Sequence, residues 1–99
     1  MEPFYRFKKS NTENNLWIYI LSLGNEREIT REEVRRLVFE KFGFLPGKLL
    51  TSKVLYRLKS QEYIKTEKFK GKPAFSTTKK GEDEIAKMKI FTKDLLKKI

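Results

Sequence analysis

The sequence contains no cysteine and no histidine among its 99 residues. The first absence excludes disulfides and thiolate metal sites, and the second removes the usual zinc-ligand pairs and imidazole catalysis. Most enzyme chemistry goes with them. No apolar run approaches the roughly 18 residues that span a bilayer. The start Met1-Glu2-Pro3-Phe4-Tyr5 lacks the basic and then apolar order of a signal peptide. An intracellular, membrane-free protein is expected. Repeats, low-complexity tracts and interdomain linkers are also missing, and a chain of this length has room for one core, so residues 1–99 are read as a single domain.

What is present is positive charge. The chain has 23 Lys plus Arg against 13 Asp plus Glu, a formal net charge of +10, while a 38% hydrophobic content is enough for a packed core. That balance favours a polyanionic partner, with nucleic acid as the first candidate. The excess is also localised. Residues 48–80 hold ten basic side chains and two acidic ones, Glu62 and Glu67, leaving only +2 for the rest of the chain.

Residues 1–10 mix aromatic and basic side chains without a sustained period and read as an extended arm, functional or packed on the core. The run Leu16-Trp17-Ile18-Tyr19-Ile20-Leu21 lies between candidate caps at residues 10–12 and Gly24. That length favours a helix, and its nearly all-round apolarity implies cover from a second element or a second chain. Thr30-Arg31-Glu32-Glu33 fits a capping box, and Val34, Leu37, Val38 and Phe42 follow at helical spacing, ending near Gly43. Pro46 disfavours helix at Leu45, after which helical spacing resumes from Lys48 through Leu50, Val54, Leu55 and Leu58 to about Gln61. Residues 63–69 and 74–77 read as short strands joined by the turn Lys70-Gly71-Lys72-Pro73. A last helix opens at the Thr78 cap, with Glu82-Asp83-Glu84 in its first turn and Lys97-Lys98 in its last, matching the helix dipole. Glu32 with Arg36, and Asp83 with Lys87, stand at ion-pair spacing.

Helix, helix, helix, hairpin, helix, with the third helix followed at once by a strand, is the plan of a winged helix. The stretch Leu55-Tyr56-Arg57-Leu58-Lys59-Ser60-Gln61-Glu62-Tyr63-Ile64 resembles the end of the recognition helix entering the first wing strand in winged-helix regulators of the PadR and MarR type. Phe75-Ser76-Thr77-Thr78-Lys79-Lys80-Gly81 is similar to the strand-to-helix junction of the same families, so the resemblance covers residues 49–81. The sequence departs from them at Glu62, where glycine is usual, and at Lys48-Leu49-Leu50, which replaces the Thr-aliphatic-Tyr start of a PadR recognition helix. Small archaeal winged-helix proteins that dimerise through a C-terminal helix are an equally good comparison. The resemblance implies an α+β winged helix-turn-helix fold, with a three-helix core, a two-stranded wing and a C-terminal helix over residues 79–99. It further implies binding to double-stranded DNA, in transcription control or chromatin architecture, and a cytoplasmic, nucleoid-associated location.

If Leu50, Val54, Leu55 and Leu58 face the core, then Ser52, Lys53, Tyr56, Arg57 and Ser60 share the opposite face, which would enter the major groove. Lys53 and Arg57 can donate to guanine edges or phosphates, Ser52 can donate or accept, and Tyr56 either packs on sugar or a thymine methyl or covers the core. Lys68, Lys70, Gly71 and Lys72 form a basic wing that reaches phosphates in a flanking minor groove, or else a solubilising turn. Ile85, Met88, Leu95 and Ile99 lie near an a/d seam, with Thr92 interrupting it and Phe91 and Leu96 widening it. Together with Trp17 they form the expected homodimer interface, which would set two recognition helices about 34 to 36 Å apart.

Catalytic motifs are not found. Gly43-Phe44-Leu45-Pro46-Gly47-Lys48 is one residue short of a phosphate-binding loop, and Leu49 stands where Ser or Thr must hold magnesium. No general acid/base pair or metal cluster is evident, so no enzyme activity, metal or cofactor is expected, and no small-molecule effector can be argued. Three functions stay open: a sequence-preferring regulator, an architectural chromatin protein, and a winged-helix module that docks an acidic protein.

Overall fold

A computed structural model describes residues 2–99. Its elements run α1 (Pro3–Ser10), a 3-10 turn (Glu13–Asn15), α2 (Leu16–Glu26), β1 (Ile29–Thr30), α3 (Val34–Phe42), α4 (Lys48–Ser60), β2 (Ile64–Phe69), β3 (Lys72–Thr77) and α5 (Lys79–Lys98). The α+β plan expected from the sequence is present, with two additions, α1 and β1.

α2 is the centre of the core. Leu16, Ile20, Leu21 and Leu23 are buried together with Ile29, Val34, Val38, Leu55, Leu58, Ile64 and Phe75, and α2 packs against α3, α4, α5 and β3. Its all-round apolar surface is therefore covered by elements of the same chain. Gly24, expected to stop this helix, lies inside it and is buried. A Cβ there would come within 2.7 Å of Thr77 Oγ1 and 3.0 Å of the Phe75 ring, so the residue is small because β3 crosses closely. Gly81, in the first turn of α5, has the same cause: a Cβ would sit 2.3 Å from the Tyr63 carbonyl oxygen.

The expected extended arm is a helix. Pro3 supplies the φ of a first turn, and beyond the last turn Asn11 Nδ2 donates to the Phe7 carbonyl at 2.8 Å and Thr12 Oγ1 to that of Lys8 at 2.9 Å. Only Phe4 and Phe7 recur at helical spacing, their rings stacked 6.5 Å apart, so the periodicity was too sparse to reveal the helix. No residue of α1 is buried, and its aromatics do not pack on the core.

The expected two-stranded wing is part of a three-stranded antiparallel sheet in the order β1-β3-β2. Ile29 pairs with Phe75 and Thr30 with Ala74, and Arg31 continues the edge by donating its N–H to the Pro73 carbonyl at 3.0 Å. Thr30 is consequently a strand residue rather than a helix cap, and α3 opens at Val34. Half of the expected capping box survives. Glu33 Oε2 accepts from Thr30 N at 2.8 Å and from Thr30 Oγ1 at 2.7 Å, while Oε1 accepts from Arg27 Nη2 at 3.0 Å. The Arg27 hydrogen bond, with help from Thr30, lowers the Glu33 carboxyl from its usual 4.5 to about 2.

β2 and β3 pair from Ile64↔Thr77 to Phe69↔Lys72, which shortens the turn to Lys70 (φ 53) and Gly71 (φ 78). Both residues are left-handed, as a twisted two-residue hairpin requires. Lys72 and Pro73 thus belong to β3, not to the turn. The α4-to-β2 junction also needs a left-handed residue, and Glu62 adopts φ 64 where glycine would be less strained. Hydrogen bonds from Glu62 N to Lys59 O, from Tyr63 N to Leu58 O and from Thr78 Oγ1 to Glu62 O hold it there. Thr78 caps α5 as expected, accepting from Gly81 N at 3.2 Å.

α5 is anchored only at its start, and every residue from 89 to 99 is exposed. No helix is long and apolar enough to cross a membrane among the described residues. The expected Glu32–Arg36 and Asp83–Lys87 ion pairs are replaced. Glu32 pairs with Lys72, Arg36 with Glu40, Asp83 with Lys79, and Lys87 with Glu84.

Candidate nucleic-acid interface

One line of α4, formed by Thr51, Leu55 and Leu58, is buried, while Leu50 and Val54 are half-buried beside it. Thr51 can join a core line because its hydroxyl donates to the Gly47 carbonyl at 2.8 Å. The opposite arc faces solvent. Ser52, Lys53, Tyr56, Arg57 and Ser60 are all exposed, as is Leu49. Tyr56 is 72% exposed and does not cover the core. The Ser60 hydroxyl donates to the Arg57 carbonyl at 3.2 Å, which turns it toward its own helix.

These five residues do not share one surface. Lys53, Tyr56 and Ser60 occupy the outer ridge. Ser52 stands on the flank toward the hairpin, lining a cleft between α3, the start of α4 and the hairpin base. Arg57 stands on the other flank and borders a groove with Trp17, Leu50, Val54 and Glu84. Arg57 and the wing therefore lie on opposite sides of the helix.

Lys68, Lys70, Gly71 and Lys72 are exposed on the hairpin. Lys70 Nζ lies 5.3 Å from the centre of the Phe69 ring. Lys72 is tied back to the turn before α3, its Nζ 2.6 Å from Glu32 Oε1, and this hydrogen bond raises its pKa. Lys68 and Tyr56 both line a cleft between α4 and β2.

Five further cations line the clefts on the hairpin side: Arg31, Arg35, Arg36, Lys48 and Lys59. Lys48, Ser52 and Lys59 are spaced i, i+4 and i+11, a pattern that puts them on one flank and was readable in the sequence. Arg31 was hidden by the capping-box reading of its segment, and Arg35 by the absence of any sequence signal that α3 faces this cleft.

The residues expected at a subunit contact divide into two groups. Trp17 and Ile85 pack partly against the chain's own core, with Trp17 Nε1 donating to Asn15 Oδ1 at 3.2 Å. Met88 is half-buried and sits 3.6 Å from Thr92 Oγ1. Phe91, Leu95 and Ile99 are exposed, and Ile90 and Leu96 join them, so five large apolar side chains stand uncovered among the lysines at the end of the chain.

No protein-family model matches the sequence, and no curated protein matches it. Solved structures do. A winged-helix DNA-binding protein from STIV superposes with a TM-score of 0.72 at 15% identity, over 85% of this chain and 92% of the other. A PadR-like transcription factor from Bacteroides fragilis gives 0.75 at 16% identity, over 94% of each chain. A transcriptional regulator from Clostridium thermocellum gives 0.70 at 18% identity, over 99% of this chain and 92% of the other. The architecture of this chain is the winged-helix fold.

Proposed function

We propose that this winged-helix chain binds double-stranded DNA through α4 and the β2–β3 hairpin, as a homodimeric, sequence-preferring transcription regulator without enzymatic activity or cofactor. The observation that carries the reading is the outer arc of α4, where Lys53 and Arg57 are exposed and make no ion pair among the described residues. A helix roughly 10 to 12 Å across fits a major groove about 12 Å wide. Seated there, the outer ridge with Lys53 and Tyr56 meets base edges, while Ser52 and Arg57, on the two flanks, meet the groove walls. Lys68 and Lys70 then reach the adjoining backbone. The structural neighbours described as DNA-binding or regulatory proteins support this reading.

Dimerisation is supported by Ile90, Phe91, Leu95 and Leu96 on the second half of α5, large apolar side chains that no described element covers. A second copy meeting it about a twofold axis would present two α4 helices to successive turns of the duplex. Such a protein belongs in the cytoplasm, on the nucleoid.

Selection from random duplexes tests the proposal, with enrichment of a partly palindromic site as the expected result. Retained duplex binding without enrichment would replace regulation with an architectural role. Failure to shift any duplex at ~150 mM salt, where specific affinities are typically of order 10⁻⁸ M or tighter, would move the function to docking an acidic protein.

A further inference from the structure

The two clefts on the hairpin side of α4 are one trough. The first, about 800 Å³, lies between α3, the start of α4 and the base of the hairpin; the second, about 370 Å³, lies between α4 and β2. Arg31, Leu55 and Pro73 line both, so Arg31 stands at the middle of a continuous concave surface. Lys48 and Arg35 line one end, and Lys59 and Lys68 the other.

The cations that line this trough are of two kinds, paired and unpaired. Arg36 is neutralised by Glu40 and Glu33, and Lys72 by Glu32. Arg31, Arg35, Lys48, Lys59 and Lys68 make no ion pair among the described residues. Two of them are also held in place. The Arg31 backbone is bonded to Pro73 at the hairpin base, and Arg35 Nε donates to the Pro46 carbonyl at 2.9 Å, which aims its guanidinium without using its two terminal nitrogens. The acidic walls are Glu32, already engaged by Lys72, and Glu67 on β2. Five free positive charges along a groove face at most one free negative one.

We infer that this trough is a track for one sugar–phosphate strand of the duplex, with Arg31 at its centre. The inference rests on the duplex-binding reading and adds to it a contact surface on β1 and α3, beyond the outer ridge of α4 and the hairpin tip. With α4 in the major groove, its two flanks face the two backbones. The flank bordered by Arg57 has that one cation, with Glu13 and the Lys87-paired Glu84 beside it, so phosphate neutralisation falls mainly on the strand in the trough.

The test is the salt dependence of binding to a mixed-sequence duplex, read by fluorescence anisotropy. The variants are Arg31→Gln with Lys48→Gln, and separately Lys59→Gln with Lys68→Gln. A Lys93→Gln, Lys97→Gln pair on α5 removes the same charge elsewhere. Each phosphate contact contributes about 0.9 to the slope of log K against log salt, so each trough pair lowers it by about two per protomer and weakens all sequences alike. The α5 pair keeps the wild-type slope. All four residues are exposed, and an unchanged Tm confirms that each variant is folded. If the wild type binds and both trough pairs keep its slope, the track is refuted while the α4–hairpin reading stands. If the wild type does not bind duplex even at low salt, both fall.

Discussion

The two flanks of α4 are made from the same helix and are opposite in character. The hairpin side presents free cations, whose neighbours across the trough come from β1, α3 and β2. The other side presents Arg57 among Trp17, Leu50 and Val54, with Glu13 and Glu84 beside it. The difference comes from the packing on each side. Gly24 and Gly81 let α2, β3 and the start of α5 close tightly together, which builds an apolar seat beside Arg57. On the hairpin side a two-residue strand and the Pro46 loop leave the cations standing over a cleft. The character of each flank of α4 is thus set less by the helix's own exposed arc than by what abuts it.

The largest predicted effect comes from α5, outside both flanks, where a subunit contact would bring two α4 helices to one duplex. Phe91→Glu with Leu95→Glu is expected to give a monomer by sedimentation, and losing bivalent attachment should weaken duplex binding by ~10²- to 10⁴-fold. A double variant that still dimerises would remove α5 as the subunit contact. Next in size is Gly81→Ala, whose Cβ would collide with the Tyr63 carbonyl. It should cost about 2 to 4 kcal/mol, read as a lower urea midpoint, because backbone rather than a flexible side chain must yield.

Glu33 ties Thr30 and Arg27 to the start of α3, under the hairpin side. Glu33→Gln should cost about 1 to 2 kcal/mol at neutral pH. Because folding lowers this carboxyl from 4.5 to about 2, its contribution is complete above pH 4.5 and is lost as pH falls from 4.5 through 2. The wild type and Glu33→Gln should therefore converge in stability across that window; a gap independent of pH would contradict the assignment. Smallest is Lys72→Ala, which breaks an exposed, solvent-screened pair and should leave the urea midpoint unchanged. Its effect belongs in the binding slope, lower by roughly one unit if Lys72 exchanges Glu32 for a phosphate.

The sequence made α4, the hairpin and the Thr78 cap legible because each carries a local signal, whether helical spacing, turn residues or a hydroxyl three residues before an amide. Thr30 also had a local signal, and there it misled: the Thr-x-x-Glu pattern is satisfied by Glu33 reaching back to a strand residue. β1 is only two residues long and pairs with residues more than forty positions away, so no periodicity could announce it. The same separation hid the Glu32–Lys72 pair. For α4, spacing predicted which side chains are exposed but not which flank meets the hairpin, and so Arg57 was grouped with residues from which the helix separates it. Glu62 illustrates the reverse case, a departure from the glycine usual in similar families that the surrounding hydrogen bonds accommodate at a positive φ.

The most direct test of the central claim is a titration of a mixed-sequence duplex with the wild-type protein across a series of salt concentrations. A dimer making ~6 to 10 phosphate contacts should lose ~10³ to 10⁵ in affinity between about 50 and 200 mM salt. Absence of binding at about 50 mM would contradict the account, because a surface with this many free cations could not then be a surface for DNA.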